Sequence, residues 1–180
     1  SMVSSQESDS LIDSGTLADN KWVSAVGDTL YLAQADEQGS VNGLLQMQLD
    51  GNNGAKAKGV IPFSQDSYSS AYFSVLEDGT VYAADADGFF HCDAGDTNWQ
   101  KLLEGIDTSF SMSDQWCRDI VALSDGSVYA WFGSESGDKI MIYRYDPDAV
   151  TEVTEELTLY TVEESFFLQQ AAVQYHKQHP

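Results

Sequence analysis

The chain has 180 residues, of which 29 are acidic and eight basic, for a net charge of −21. That balance excludes nucleic acids and anionic membrane surfaces as partners, because both need Lys and Arg to neutralise phosphates. No apolar run approaches the ~18 residues of a membrane helix, and acidity of this degree suits an exported, soluble protein.

Ser1-Met2 reads as a cloning scar, so nothing about a natural leader follows from the first residues. Residues 1–19 are Ser/Asp-rich and without periodicity, the composition of a flexible tether. From residue 20 a unit begins that recurs. Ala25-Val26-Gly27-Asp28-Thr29-Leu30-Tyr31 matches Val75-Leu76-Glu77-Asp78-Gly79-Thr80-Val81-Tyr82, and both match Ala122-Leu123-Ser124-Asp125-Gly126-Ser127-Val128-Tyr129. In each copy an apolar run meets an Asp/Gly turn and leaves as a Thr/Ser–apolar–Tyr run, the chemistry of a β-hairpin.

A third strand follows in each copy, at Leu44–Asp50, Phe89–Asp93 and Ile140–Asp146. In the first of these Leu45, Met47 and Leu49 alternate with Gln46 and Gln48, the period of a half-buried strand. Fourth strands are predicted at Lys58–Pro62 and Trp99–Leu103, with none assigned in the third copy. The tyrosines Tyr31, Tyr82 and Tyr129 recur at about fifty residues, the period of a four-stranded propeller blade. The predicted fold is therefore all-β: antiparallel four-stranded blade-like repeats, a partial β-propeller of three blades (about 20–62, 68–105 and 115–150), with a short C-terminal strand and helix. An antiparallel sandwich is the competing architecture. Three blades leave open edges that another domain, further blades or a second copy must cover.

After the third copy an acidic linker begins, within residues 151–180. Leu157–Tyr160 reads as a strand, Thr161 with Glu164 as a capping box, and Leu168, Ala171, Ala172 and Tyr175 as one face of a helix that Pro180 ends. This strand–helix run, with Tyr175 as the closing aromatic before Pro180, resembles the start of bacterial extracellular solute-binding proteins. The resemblance covers about 24 residues of the 180. It implies a β-repeat module placed ahead of a solute-binding domain, in a lipoprotein anchored outside a Gram-positive cell and serving an ABC-type importer. A sugar or oligosaccharide is the ligand class it implies. No binding residue of that family falls within this chain. A terminal helix capping the repeats is the alternative.

Candidate chemistry is sparse. His91 and Cys92 are neighbours on one strand and so point to opposite faces, which denies the thiol its base. His176 and His179 lack a third ligand. Asp85 and Asp87, in Asp85-Ala86-Asp87-Gly88, are the best calcium candidates, but the simpler role of such acids is to bond their own backbone in turns. No cofactor is expected, and no acid pair is marked out for hydrolysis. Cys92 and Cys117 are compatible with one disulfide or two separate thiols.

The aromatic residues ahead of each innermost strand are the binding candidates: Trp22, Tyr68 and Tyr72, and Trp116 with Arg118. Flat apolar faces with polar neighbours suit a sugar or peptide, while Trp22 and Tyr72 equally suit packing between blades. Trp99 and Trp131 read as core. The functional expectation is a non-enzymatic extracellular binding or scaffolding module of a solute-binding lipoprotein. The alternative is a self-contained interaction domain whose ring closes by homodimerisation.

Overall fold

The computed structural model describes residues 22–51, 54–64, 70–112 and 114–144, together with Ala171 and Tyr175, both helical and exposed. The expected tether, Tyr68, and the remainder of the linker and strand–helix segment lie outside the described residues.

The described chain is all-β, as the repeats predict. The first unit is β1 (Val23–Val26), β2 (Thr29–Ala35), β3 (Val41–Leu49) and β4 (Ala55–Pro62). The second is β5 (Tyr72–Val75), β6 (Val81–Asp85), β7 (Gly88–Cys92) and β8 (Gln100–Glu104). A 3-10 turn at Gly105–Asp107 leads on to β9 (Gln115–Ala122), β10 (Val128–Ser134) and β11 (Lys139–Tyr143). Each unit is one antiparallel meander, with order β1-β2-β3-β4, β5-β6-β7-β8 and β9-β10-β11. None of these sheets closes on itself among the described residues.

In the second and third repeats the hairpins form where the sequence places them because the turn acids cap their own backbone. Asp78 accepts from the Thr80 N–H and Asp125 from the Ser127 N–H, each at 2.9 Å. Gly79 and Gly126 take the positive φ (92° and 82°) that these turns require of the next residue. Asp36 and Asp50 act alike, accepting from Ser40 and Gly54. Much of the acidity near the turns is thus structural.

The sheets stack through two cores. One lies between the first and second sheets and is built on Tyr31, Ala33, Leu44, Phe63, Phe73 and Val81. The other lies between the second and third, with Tyr82, Phe89, Ile120, Val128 and Phe132. The second sheet is therefore buried on both faces, and β5 lies against both β1 and β9. Cross-sheet bonds fix the stack: Trp99 Nε1 donates to the Pro62 carbonyl at 2.7 Å, and the Ala122 N–H donates to Ser74 Oγ at 2.9 Å.

One expectation changes. Trp131, read as core, is 44 % exposed, because it stands on the face of the third sheet turned away from the second. Trp99 is half-buried against the first core, in keeping with its reading. The cysteines are both free thiols, with Cys92 in the first core and Cys117 beside the second. They lie on opposite sides of the second sheet, so of the two alternatives the structure has the two separate thiols.

Candidate functional site

The aromatic candidates separate into packing groups and one exposed cluster. Trp22 packs on Phe73, with ring centroids 5.4 Å apart, and joins the first core. Tyr72 packs at 6.3 Å from Phe110, and its hydroxyl donates to the Cys117 carbonyl at 2.7 Å. Burial then pushes the Tyr72 phenol above its ordinary value. Both residues hold sheets together: Trp22 lies away from the remaining candidates, and Tyr72 packs on the inner face of β9, behind Trp116 and Arg118.

Trp116 and Arg118 do come together, on β9 itself rather than on the loop before it. They lie across the outer face of the third sheet, where Gly133 of β10 pairs with Trp116. A Cβ on Gly133 would stand 2.6 Å from Trp116 Nε1 and 2.9 Å from Arg118 Nε, so only glycine leaves room for both side chains. A register shift between Trp131 and Phe132 carries Arg118 toward Trp131. The Arg118 guanidinium sits over both indoles, 5.8 Å from the Trp116 ring and 5.3 Å from the Trp131 ring. It also reaches Asp138 at 3.4 Å. An exposed ion pair of that length contributes little, whereas each ring contact adds roughly 0.5–1 kcal/mol, so the indoles hold Arg118 in place.

Beside this cluster the β10–β11 turn and the start of β9 bound a cleft of about 560 Å³. Trp116 forms its apolar wall at 47 % exposure, with Ser134, Ser136, Gln115, Asp114, Glu135, Asp138 and Lys139 as polar lining. One side of this cleft is thus a flat indole and the rest a mixture of hydroxyls, carboxylates, Gln115 and the Lys139 cation, a surface suited to a polyhydroxylated ligand. Trp131, Gly133 and the 134–138 turn are the parts that sequence reasoning missed. The signal was present: Trp131 stands where the first two repeats carry Ala33 and Ala84.

The other candidates do not assemble. His91 lies against Tyr82, centroids 5.3 Å apart, and its Nε2 is 3.1 Å from Asp93. Cys92 points the opposite way into the first core. Asp85 is buried, and its Oδ1 accepts from the Asp87 N–H at 2.8 Å as a turn acid. Burial raises its pKa to about 6, the direction that disfavours the charged carboxylate. Among the described residues no three His, Cys, Asp or Glu side chains converge on a metal position. No helix among them is long and apolar enough to cross a membrane. No family model matches the chain, and no curated protein matches it.

Proposed function

We propose that this chain is a non-catalytic binding module whose ligand is a neutral carbohydrate held in the Trp116 cleft. The observation that carries this reading is a single one: an exposed indole, stacked under Arg118, walls a cleft otherwise lined by hydroxyls, carboxylates, Gln115 and Lys139. A sugar offers C–H faces to the indole and hydroxyl donors to the acceptors, and needs no reorganisation of a side chain already held. The three meanders stacked through their faces support a blade-like, propeller-type arrangement. The resemblance of residues 157–180 to the opening of extracellular solute-binding proteins supports a place outside the cell, beside the receptor of a solute importer.

The test is a glycan array probed with the purified chain and with Trp116→Ala. Retention of selected neutral oligosaccharides by the native chain, lost in Trp116→Ala with the β spectrum unchanged, is the expected result. Equal retention by both proteins would remove the cleft from the account.

A further inference from the structure

The third sheet places a second indole beside the Trp116 cleft. Trp131 stands two residues before Gly133 on β10, so the two share the outer face, and Trp116 is the cross-strand partner of Gly133. The two indoles are therefore diagonal neighbours on one face. Arg118 is the extra residue that the register shift leaves on β9, and its guanidinium lies 5.8 Å from the Trp116 ring and 5.3 Å from the Trp131 ring.

Packing does not account for a tryptophan at this position. The first two sheets carry Ala33 and Ala84 in the same register, and both are buried. Trp131 is 44 % exposed and belongs to neither core. A large ring left half in water forgoes most of the burial that makes aromatics useful in a core. Exposed beside a second indole, it extends the flat surface that begins in the cleft.

The groups around this ring repeat the chemistry around Trp116. Asp119, the cross-strand partner of Trp131, is exposed on the same face. One of its carboxylate oxygens accepts from the Ile120 N–H at 2.9 Å, which leaves the other to accept from a ligand. On the far side, Ile140 of β11 also pairs with Trp131 and is 68 % exposed, widening the apolar floor. Between the rings, the guanidinium of Arg118 has Asp138 as its one hydrogen-bond partner among the described residues. It carries more N–H donors than that bond uses. The order across the face is thus ring with acceptors, donor cluster, ring with acceptor.

We propose that Trp131 is a second stacking subsite and that the carbohydrate of the Trp116 cleft is a linear oligosaccharide rather than a single sugar. One unit lies against Trp116 and a following unit against Trp131, with Arg118 donating to oxygens between them and Asp119 accepting from hydroxyls of the second unit. Because the indoles already hold Arg118, a ligand that uses its donors orders little more of the side chain. The inference rests on the reading of Trp116 as a carbohydrate site and adds the class of ligand to it.

The experiment is isothermal titration calorimetry of the whole chain with linear fragments of cellulose, mannan, xylan and starch, from the monosaccharide to the hexasaccharide. Native affinity is expected to rise about tenfold once a fragment is long enough to reach the second ring. Trp131→Ala and Trp131→Leu, the latter keeping apolar bulk on the sheet without a flat ring, lose that rise and keep the native affinity for the shortest fragment bound. A rise undiminished in both variants, or a native affinity that ignores length, overturns the second subsite and leaves the Trp116 reading standing. A loss equal at every length also overturns it, because Trp131 then acts only by holding Arg118. A native chain that binds no fragment overturns the Trp116 reading and this inference with it.

Discussion

The hydroxyl of Tyr72 donates to the carbonyl oxygen of Cys117 across 2.7 Å, joining the first strand of the second sheet to the first strand of the third. The bond runs between strands that are not paired in any ladder, so it reports directly on how the sheets are stacked. Tyr72→Phe leaves the ring packing intact and the carbonyl without its donor. A loss of about 1 kcal/mol in urea denaturation is expected, with glycan retention unchanged, because the Tyr72 ring packs on the inner face of the third sheet and the Trp116 indole stands on the outer one.

Adjacent residues of β10 separate core from surface. Phe132 is fully buried between the second and third sheets, while Trp131 faces outward. Phe132→Ala is expected to cost about 3–5 kcal/mol, the range for a fully buried aromatic. Trp131→Ala is expected to cost about 1 kcal/mol or less, chiefly the stacking with Arg118. Chemical denaturation of both variants gives the comparison.

That contrast shows where the sequence was legible. The hairpins and third strands follow from period-two alternation and from Asp-Gly turns, and both are local properties. Alternation says which side chains share a face, but whether a face is covered depends on a neighbouring sheet. Ala33 and Ala84 are buried because a further sheet follows theirs; Trp131 occupies the same register on the last described sheet and stays exposed. The site was half legible for a similar reason. Trp116 and Arg118 could be named from aromatic and basic character, whereas their approach to Trp131 depends on a register shift and on the absence of a Cβ at Gly133.

Asp85 sets a pH dependence opposite to that of the turn acids. Its pKa rises from 3.8 to about 6 on folding because the carboxyl is buried. The folded chain therefore binds this proton more tightly than the unfolded chain. The stabilisation is fully present below the unfolded value and is lost as pH rises through the folded one, a change of about 3 kcal/mol for a shift of that size. Asp78, Asp96 and Asp125 are held low by backbone N–H donors, so their contribution is present at neutral pH and lost as pH falls. Asp85→Asn keeps the acceptor for the Asp87 N–H and removes the charge. Its urea midpoint is expected to rise at pH 8 and to match the native chain at pH 4.

The two thiols should be inert in the folded protein. Cys92 is fully buried and its pKa is raised, and burial pushes that of Cys117 up to about 12. At pH 8 neither carries an appreciable thiolate fraction. Iodoacetamide is expected to label both cysteines rapidly in urea and neither on the same timescale in buffer, as read by intact mass. Rapid labelling of Cys117 in buffer would place it outside the second core.

The most direct test of the binding account uses the four tryptophan indole N–H signals in a nitrogen–proton correlation spectrum. With a retained oligosaccharide titrated in, the Trp116 signal, assigned through Trp116→Ala, shifts with saturation, and the Trp22 and Trp99 signals stay in place. Shifts confined to Trp22 or Trp99, or no shift in any indole at millimolar sugar, would contradict it.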